Sequence, residues 1–151
     1  MRLKTRPTEA LPVEVVLPPE KAKRIGKHTE LGDTFFKRRD YTNALIEYEA
    51  VVKLDKENFK AHYMLGKILM AMSDYEEALK EFKNVVEIRT TSSDAHYMMG
   101  EALRMIGRYE EAIAEYETSL KVNSKYALAH AYLGECYRLK GENRIATKEA
   151  K

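Results

Sequence analysis

The chain has four histidines, His28, His62, His96 and His130, and each stands 34 residues from the next. Imidazoles at a fixed interval invite a metal reading, although the one cysteine, Cys136, offers no sulfur cluster. Whether they can serve together depends on the elements that carry them, and what surrounds each histidine repeats with it. Ala61-His62-Tyr63-Met64-Leu65-Gly66 returns as Ala95-His96-Tyr97-Met98-Met99-Gly100, and more loosely as Ala129-His130-Ala131-Tyr132-Leu133-Gly134. A weaker, earlier copy is Lys27-His28-Thr29-Glu30-Leu31-Gly32. A period of this length signals stacked repeats, in which one unit cannot bury its apolar face alone.

Stacking decides against the metal. Equivalent positions in neighbouring repeats lie about a helix-packing distance apart, roughly 8–10 Å. Zinc holds nitrogens at about 2.0–2.1 Å. Four histidines in a line cannot converge on one ion, although a neighbouring pair could reach one. They are expected to pack between helices instead. Cys136 falls in the slot of Thr34, Ile68 and Ala102 and reads as a small buried residue. There is no phosphate-cradling glycine loop and no nucleophile elbow, and the clear carboxylate clusters fall on outer helix faces. No catalytic, cofactor-binding or metal-binding residue is expected, and no enzyme.

A chain of 151 residues, 44% hydrophobic and 33% charged, can build one core and stay in solution. The net charge of +2 is too small to suggest nucleic acid or an anionic membrane. The single cysteine allows no intrachain disulfide, no apolar run is long enough to cross a membrane, and the start does not read as a signal peptide. The expected compartment is the cytoplasm. All four prolines lie within the first 19 residues and all seven glycines at or after Gly26. This shift separates an extended, proline-rich segment, 1–19, from a helical domain, 20–151. Helices are expected near 20–38, 41–54, 58–72, 75–88, 92–106, 109–121, 126–140 and 143–150. Short loops make consecutive helices antiparallel. Arg39, Ser73, Gly107 and Gly141 mark the turn inside each pair. Asp40 and Asp74 read as helix caps, Asp74 with Glu77 as a capping box. Glu76 and Lys80 read as an i,i+4 pair on a solvated face.

With repeats at 25–58, 59–92, 93–126 and a partial one at 127–151, the registers coincide. Position 8 is Gly32, Gly66, Gly100 and Gly134, and position 20 is Ala44, Ala78, Ala112 and Ala146. Position 24 is Tyr48, Phe82 and Tyr116, then Ala150. This resembles the tetratricopeptide repeat, a 34-residue helix–turn–helix. The resemblance implies an all-α, right-handed superhelical solenoid of antiparallel helix pairs. The chain departs from the family at position 4, where histidine replaces the usual tryptophan. It departs again at position 32, where Lys56, Thr90 and Ser124 replace proline. The last helix shows Asn143 and Ala150 in place of aromatics, which suits either a solvated end cap or a repeat cut short.

The resemblance also implies a function, protein–protein interaction as a scaffold or adaptor. The first helices of the pairs would line a concave groove that takes a peptide segment of a partner. Carried over position by position, the partner-binding residues are Asp33, Phe36, Tyr63, Lys67, Met70, Tyr97, Glu101, Arg104, Glu135 and Arg138. The family's chaperone adaptors clamp a terminal carboxylate with basic and amide side chains. Here those positions hold Thr29, Asp33, Met64, Asp94 and Met98, so the clamp is absent. The alternative is a helical-repeat protein that binds single-stranded RNA, against which Asp33, Glu101 and Glu135 would act. The apolar segment 7–19 is a possible route to self-association, in a neighbouring copy's groove or on the flank of the first repeat. No nucleic acid and no membrane are expected as partners.

Overall fold

Each helix pair turns in the same way. Arg39, Ser73 and Gly107 adopt left-handed backbone, with φ of 59°, 62° and 90°. The amides that follow, Asp40, Asp74 and Arg108, reach back to the carbonyls of Phe35, Leu69 and Leu103 at 2.8–2.9 Å. This is a Schellman closure, which satisfies the last carbonyls of one helix and starts the next in the opposite direction. An L-residue in this conformation costs about 1–2 kcal/mol. Arg39→Gly and Ser73→Gly should therefore each raise stability by about 0.5–1 kcal/mol once the freer unfolded chain is counted. Thermal melts of the two variants check this, and a lowered melting temperature in both would refute it.

The computed structural model describes residues 16–89 and 91–149, with side chains as far as Glu142. It contains α1 (Pro19–Lys37), α2 (Tyr41–Leu54), α3 (Phe59–Ala71), α4 (Tyr75–Ile88), α5 (Ser93–Ile106), α6 (Tyr109–Val122) and α7 (Ala127–Glu149). Six of these match the expected spans to within a residue or so. Pro19 opens α1 in the first turn, where a missing N–H costs nothing. Asp40, Asn58 and Ser92 cap α2, α3 and α5 by accepting from the amides of Asn43, Ala61 and Ala95. Asp74 makes no such bond, so the capping box expected at α4 does not form. Lys80 pairs with Glu77 at 2.7 Å, and not with Glu76 as the spacing suggested.

The largest difference lies at the end. Gly141 does not turn the chain: α7 runs straight through it for 23 residues, where two helices were expected. A second helix stays down only if it buries something. At the two positions that hold α2, α4 and α6 in place with aromatic rings, the sequence after Gly141 has Asn143 and Ala150. Continuing the helix keeps its backbone bonds at the cost of one internal glycine, about 1 kcal/mol. Residues 1–15, with most of the expected extended segment, and Thr90 lie outside the described residues. Of the remainder of that segment, Val16 is exposed and Leu17 packs on the first core.

Each helix packs on its chain neighbours, and α5 also touches α7. Two apolar clusters result. One joins α1, α2 and α3 through Ile25, Tyr48, Val51, Leu65 and Ile68. The other joins α4 to α7 through Leu79, Phe82, Met99, Leu103, Tyr116 and Cys136. The glycines at position 8 make the pairs tight. A Cβ built on Gly32, Gly66 or Gly100 would meet the ring of Tyr48, Phe82 or Tyr116 at 2.7, 2.5 and 2.6 Å. The first helix of each pair thus carries a notch for the aromatic ring of the second. This fixes the rotation of the first helix and therefore which residues it turns outward.

Candidate functional site

The histidines are fixed inside the repeats. His28, His62 and His96 each place Nδ1 at 2.6–2.7 Å from a carboxylate of the following helix, Glu47, Glu81 and Glu115. The spacing is 19 residues each time. His62 also donates through Nε2 to the Lys56 carbonyl at 2.8 Å, and His130 donates to the Ser124 carbonyl at 3.0 Å. His28, His62 and His96 therefore staple the two helices of a pair by polar bonds, where packing alone was expected. Among the described residues no group of three or more His, Cys, Asp or Glu side chains could hold a metal. Cys136 is fully buried, and burial pushes its thiol up, away from the reactive thiolate. The glutamates were legible and were missed: position 23 is Glu47, Glu81, Glu115 and Glu149, on the same period as the histidines.

Some of the residues expected in the groove meet one another or a neighbouring repeat. Asp33 on α1 accepts from Lys60 on α3 at 3.0 Å. Lys67 on α3 sits over two rings, Phe36 of α1 at 5.5 Å and Tyr63 of its own helix at 5.7 Å. Arg104 on α5 stacks at 4.7 Å on Tyr132 of α7. Met70 lies beside this row, packed on the second core. Tyr97 differs from expectation. It is only 8% exposed, covered by Tyr126 at 5.1 Å and Tyr132 at 6.0 Å, and forms the floor of the surface. Tyr132 and Tyr126 are contributors the sequence did not flag. Tyr126 stands where Asn58 and Ser92 cap helices, and no period marks it as aromatic.

The charges are arranged with equal regularity. Asp33 accepts the hydroxyl of Tyr48, and Glu101 that of Tyr116 at 2.5 Å. Burial would raise the Asp33 carboxyl, but the Tyr48 and Lys60 bonds hold it below the usual carboxylate range. Burial, with the carboxylate beside each, pushes the Tyr48 and Tyr116 phenols far up, so both stay protonated donors. Glu101 also holds Arg104 at 3.1 Å, and Glu135 holds Arg138 at 2.5 Å. The second repeat breaks the pattern at both ends together: position 9 is Lys67 and position 24 is Phe82, with no hydroxyl. Of the six groove ions Asp33, Lys67, Glu101, Arg104, Glu135 and Arg138, only Lys67 lacks an ion pair among the described residues.

This covariation is testable. Phe82→Tyr alone should cost about 1–3 kcal/mol, because its buried hydroxyl meets an ammonium and no acceptor. Adding Lys67→Glu should recover most of the loss, as measured by denaturant melts in a double-mutant cycle. Independent, additive effects would mean that positions 9 and 24 are not coupled.

Elsewhere, Val52, Lys53, Lys56, Glu57, His62, Asn84, Glu87 and Ile88 line a cleft of about 710 Å³. It lies away from the groove residues and mixes both signs of charge.

Against known families, a model described as anaphase-promoting complex, cyclosome, subunit 3 matches residues 37–119, more than half of the chain. A model described as TPR repeat matches residues 100–141. The chain belongs to the tetratricopeptide-repeat family. No curated protein matches it. Among solved structures, this tetratricopeptide-repeat protein resembles the MamA protein at 29% identity and a TM-score of 0.76, over 84% of this chain and 69% of that one. It resembles MamA from Desulfovibrio magneticus RS-1 at 23% identity and a TM-score of 0.76, over 84% of this chain and 72% of that one. It also resembles the first TPR domain of Spaghetti (RPAP3), bound to the HSP90 peptide SRMEEVD. That likeness is 18% identity and a TM-score of 0.76, over 79% of this chain and 94% of that one. No helix among the described residues is long and apolar enough to cross a membrane.

Proposed function

We propose that the chain is a protein–protein interaction scaffold that holds a peptide segment of a partner along the face formed by α1, α3, α5 and α7. Lys67 carries this reading. Its ammonium lies between Phe36 and Tyr63 with no carboxylate partner among the described residues, while the other groove ions named above are already paired. A cation flanked by rings is an anchor for an acidic group with apolar neighbours. The preferred ligand is therefore an extended or helical peptide with Asp or Glu between aromatic or aliphatic side chains. The RPAP3 neighbour, solved with a peptide, supports the general mode. The terminal-carboxylate clamp is not part of the proposal: Met64, Asp94 and Met98 offer no donor set for it.

The test is selection from a random peptide display library against the intact chain, repeated with Lys67→Glu. Acidic consensus peptides that Lys67→Glu rejects would support the reading. A consensus without acid, binding unaffected by Lys67→Glu, or preferential retention of single-stranded RNA at low salt would overturn it. We also propose that residues 7–15, tethered by Leu17 on the first core of their own chain, compete for this face in a neighbouring copy. Deleting residues 1–15 should then raise peptide affinity, and unchanged affinity would refute the competition.

A further inference from the structure

One side of α7 repeats the side of α5 that α6 covers, without the covering helix. On α5, His96 bonds Glu115, the Gly100 notch takes the Tyr116 ring, and Glu101 accepts the Tyr116 hydroxyl while holding Arg104. On α7 the receiving parts recur. His130 is anchored through Nε2 to the Ser124 carbonyl, as His62 is to that of Lys56, but no carboxylate meets its Nδ1 among the described residues. A Cβ on Gly134 would meet nothing within 4 Å. Glu135 holds Arg138 as Glu101 holds Arg104, and accepts no phenol among the described residues. Tyr137 is 53% exposed, whereas its counterpart Leu103 is 4% exposed. His130, Gly134 and Tyr137 share one stripe, within about 60° of arc at 3.6 residues per turn. The chain's own continuation does not cover that stripe: α7 runs straight through Gly141, and Ala150 stands where the ring belongs.

We propose that this stripe binds a helix of a second protein that presents the pattern Ala-x-x-Glu-Tyr. The occupied pairs inside the molecule define the pattern. In α6 it is Ala112, Glu115 and Tyr116, and in α2 it is Ala44, Glu47 and Tyr48. Each element has its receiver on α7. The alanine permits close approach, and Ala44 and Ala112 are fully buried. The glutamate meets His130, and the ring enters the notch at Gly134. Tyrosine is required over phenylalanine because position 9 is the acid Glu135. Asp33 and Glu101 each go with a tyrosine, whereas Lys67 goes with Phe82. Spacings of three and four residues keep the three side chains on one face of the incoming helix, as helix-in-groove recognition needs. Lys67, two repeats away on α3, plays no part, so this site does not depend on the acidic-peptide reading.

The probe is a labelled peptide copying residues 107–124, which contains α6, titrated with the intact chain and followed by fluorescence anisotropy. Saturable binding at micromolar concentrations is expected. Tyr116→Ala in the peptide should weaken it about tenfold or more, as loss of a buried tyrosine anchor does. Gly134→Leu, which meets no neighbour in its own chain, should abolish binding while far-UV helicity is kept. His130→Glu should weaken binding, and Glu115→Lys in the peptide should restore it. This charge exchange keeps the test sharp if Gly134→Leu fails to fold. Lys67→Glu should leave the affinity unchanged. Absence of saturable binding up to submillimolar concentrations overturns the proposal. So does binding indifferent to both Gly134→Leu and His130→Glu, which would mean the peptide replaces the chain's own α6, or binding lost with Lys67→Glu, which would place it in the groove.

Discussion

Gly100→Leu should lower stability by about 3 kcal/mol or more, the upper part of the overpacking range. Even the first carbon of the new side chain would stand 2.6 Å from Cε1 of Tyr116. That ring has no room to yield. It is fully buried, held against Tyr97 at 5.9 Å, and its hydroxyl is bonded to Glu101. Relief therefore requires α5 to move away from α6, which opens the second core at its centre. Gly26→Ala is the control. It lies within α1 with nothing within 4 Å, so alanine should gain close to its full helix propensity, about 1 kcal/mol. Opposite shifts in melting temperature are expected from the two glycines. A neutral Gly100→Leu would mean that the notch is not what holds the pair together.

Tyr116→Ala should cost about 3–5 kcal/mol, as truncations of fully buried aromatics do. It removes the ring that fills the Gly100 notch, leaves Glu101 without its hydroxyl donor and strips one neighbour from Tyr132, whose ring lies 6.4 Å away. Because Tyr132 supports Arg104, peptide binding should weaken together with stability. The two changes should not add. In the space left by Tyr116, a leucine at position 100 has somewhere to go, so the double variant should be more stable than the sum of its parts by about 1–3 kcal/mol. Denaturant melts of the four proteins settle this. Strict additivity would show that Gly100 and Tyr116 do not share one volume.

The parts of the fold that recur were the parts legible in the sequence. Gly66 and Ala78, or Gly100 and Ala112, announce a close helix pair because only small residues allow the approach, and a 34-residue register makes the signal cumulative. Gly141 misled for the same reason. It sits in the turn slot, yet a turn forms only when the next helix has rings to bury, and Asn143 and Ala150 supply none. The histidine period is plain in the sequence, and Glu47, Glu81 and Glu115 keep the same period 19 residues on, but only the fold shows that the two columns meet. The contacts among the expected groove residues were less legible: Lys67 and Arg104 lie over the rings of Phe36, Tyr63 and Tyr132, and the burial of Tyr97 depends on Tyr126, a loop residue with no aromatic counterpart in the other repeats. Pairwise exceptions such as Lys67 with Phe82 show only when two columns are read together.

The staples from position 4 to position 23 have a kinetic consequence. His28 to Glu47 closes 19 residues, Tyr48 to Asp33 closes 15, Ser119 to Ser93 within the third repeat closes 26, and the cross-repeat bond Lys60 to Asp33 closes 27. These bonds join only segments that are near neighbours along the chain. Loop closure then costs little at each step, and any pair can serve as the nucleus on which its neighbours grow. The array should refold within milliseconds from whichever pair forms first, and a chain emerging from the ribosome can secure each pair before the next has been made.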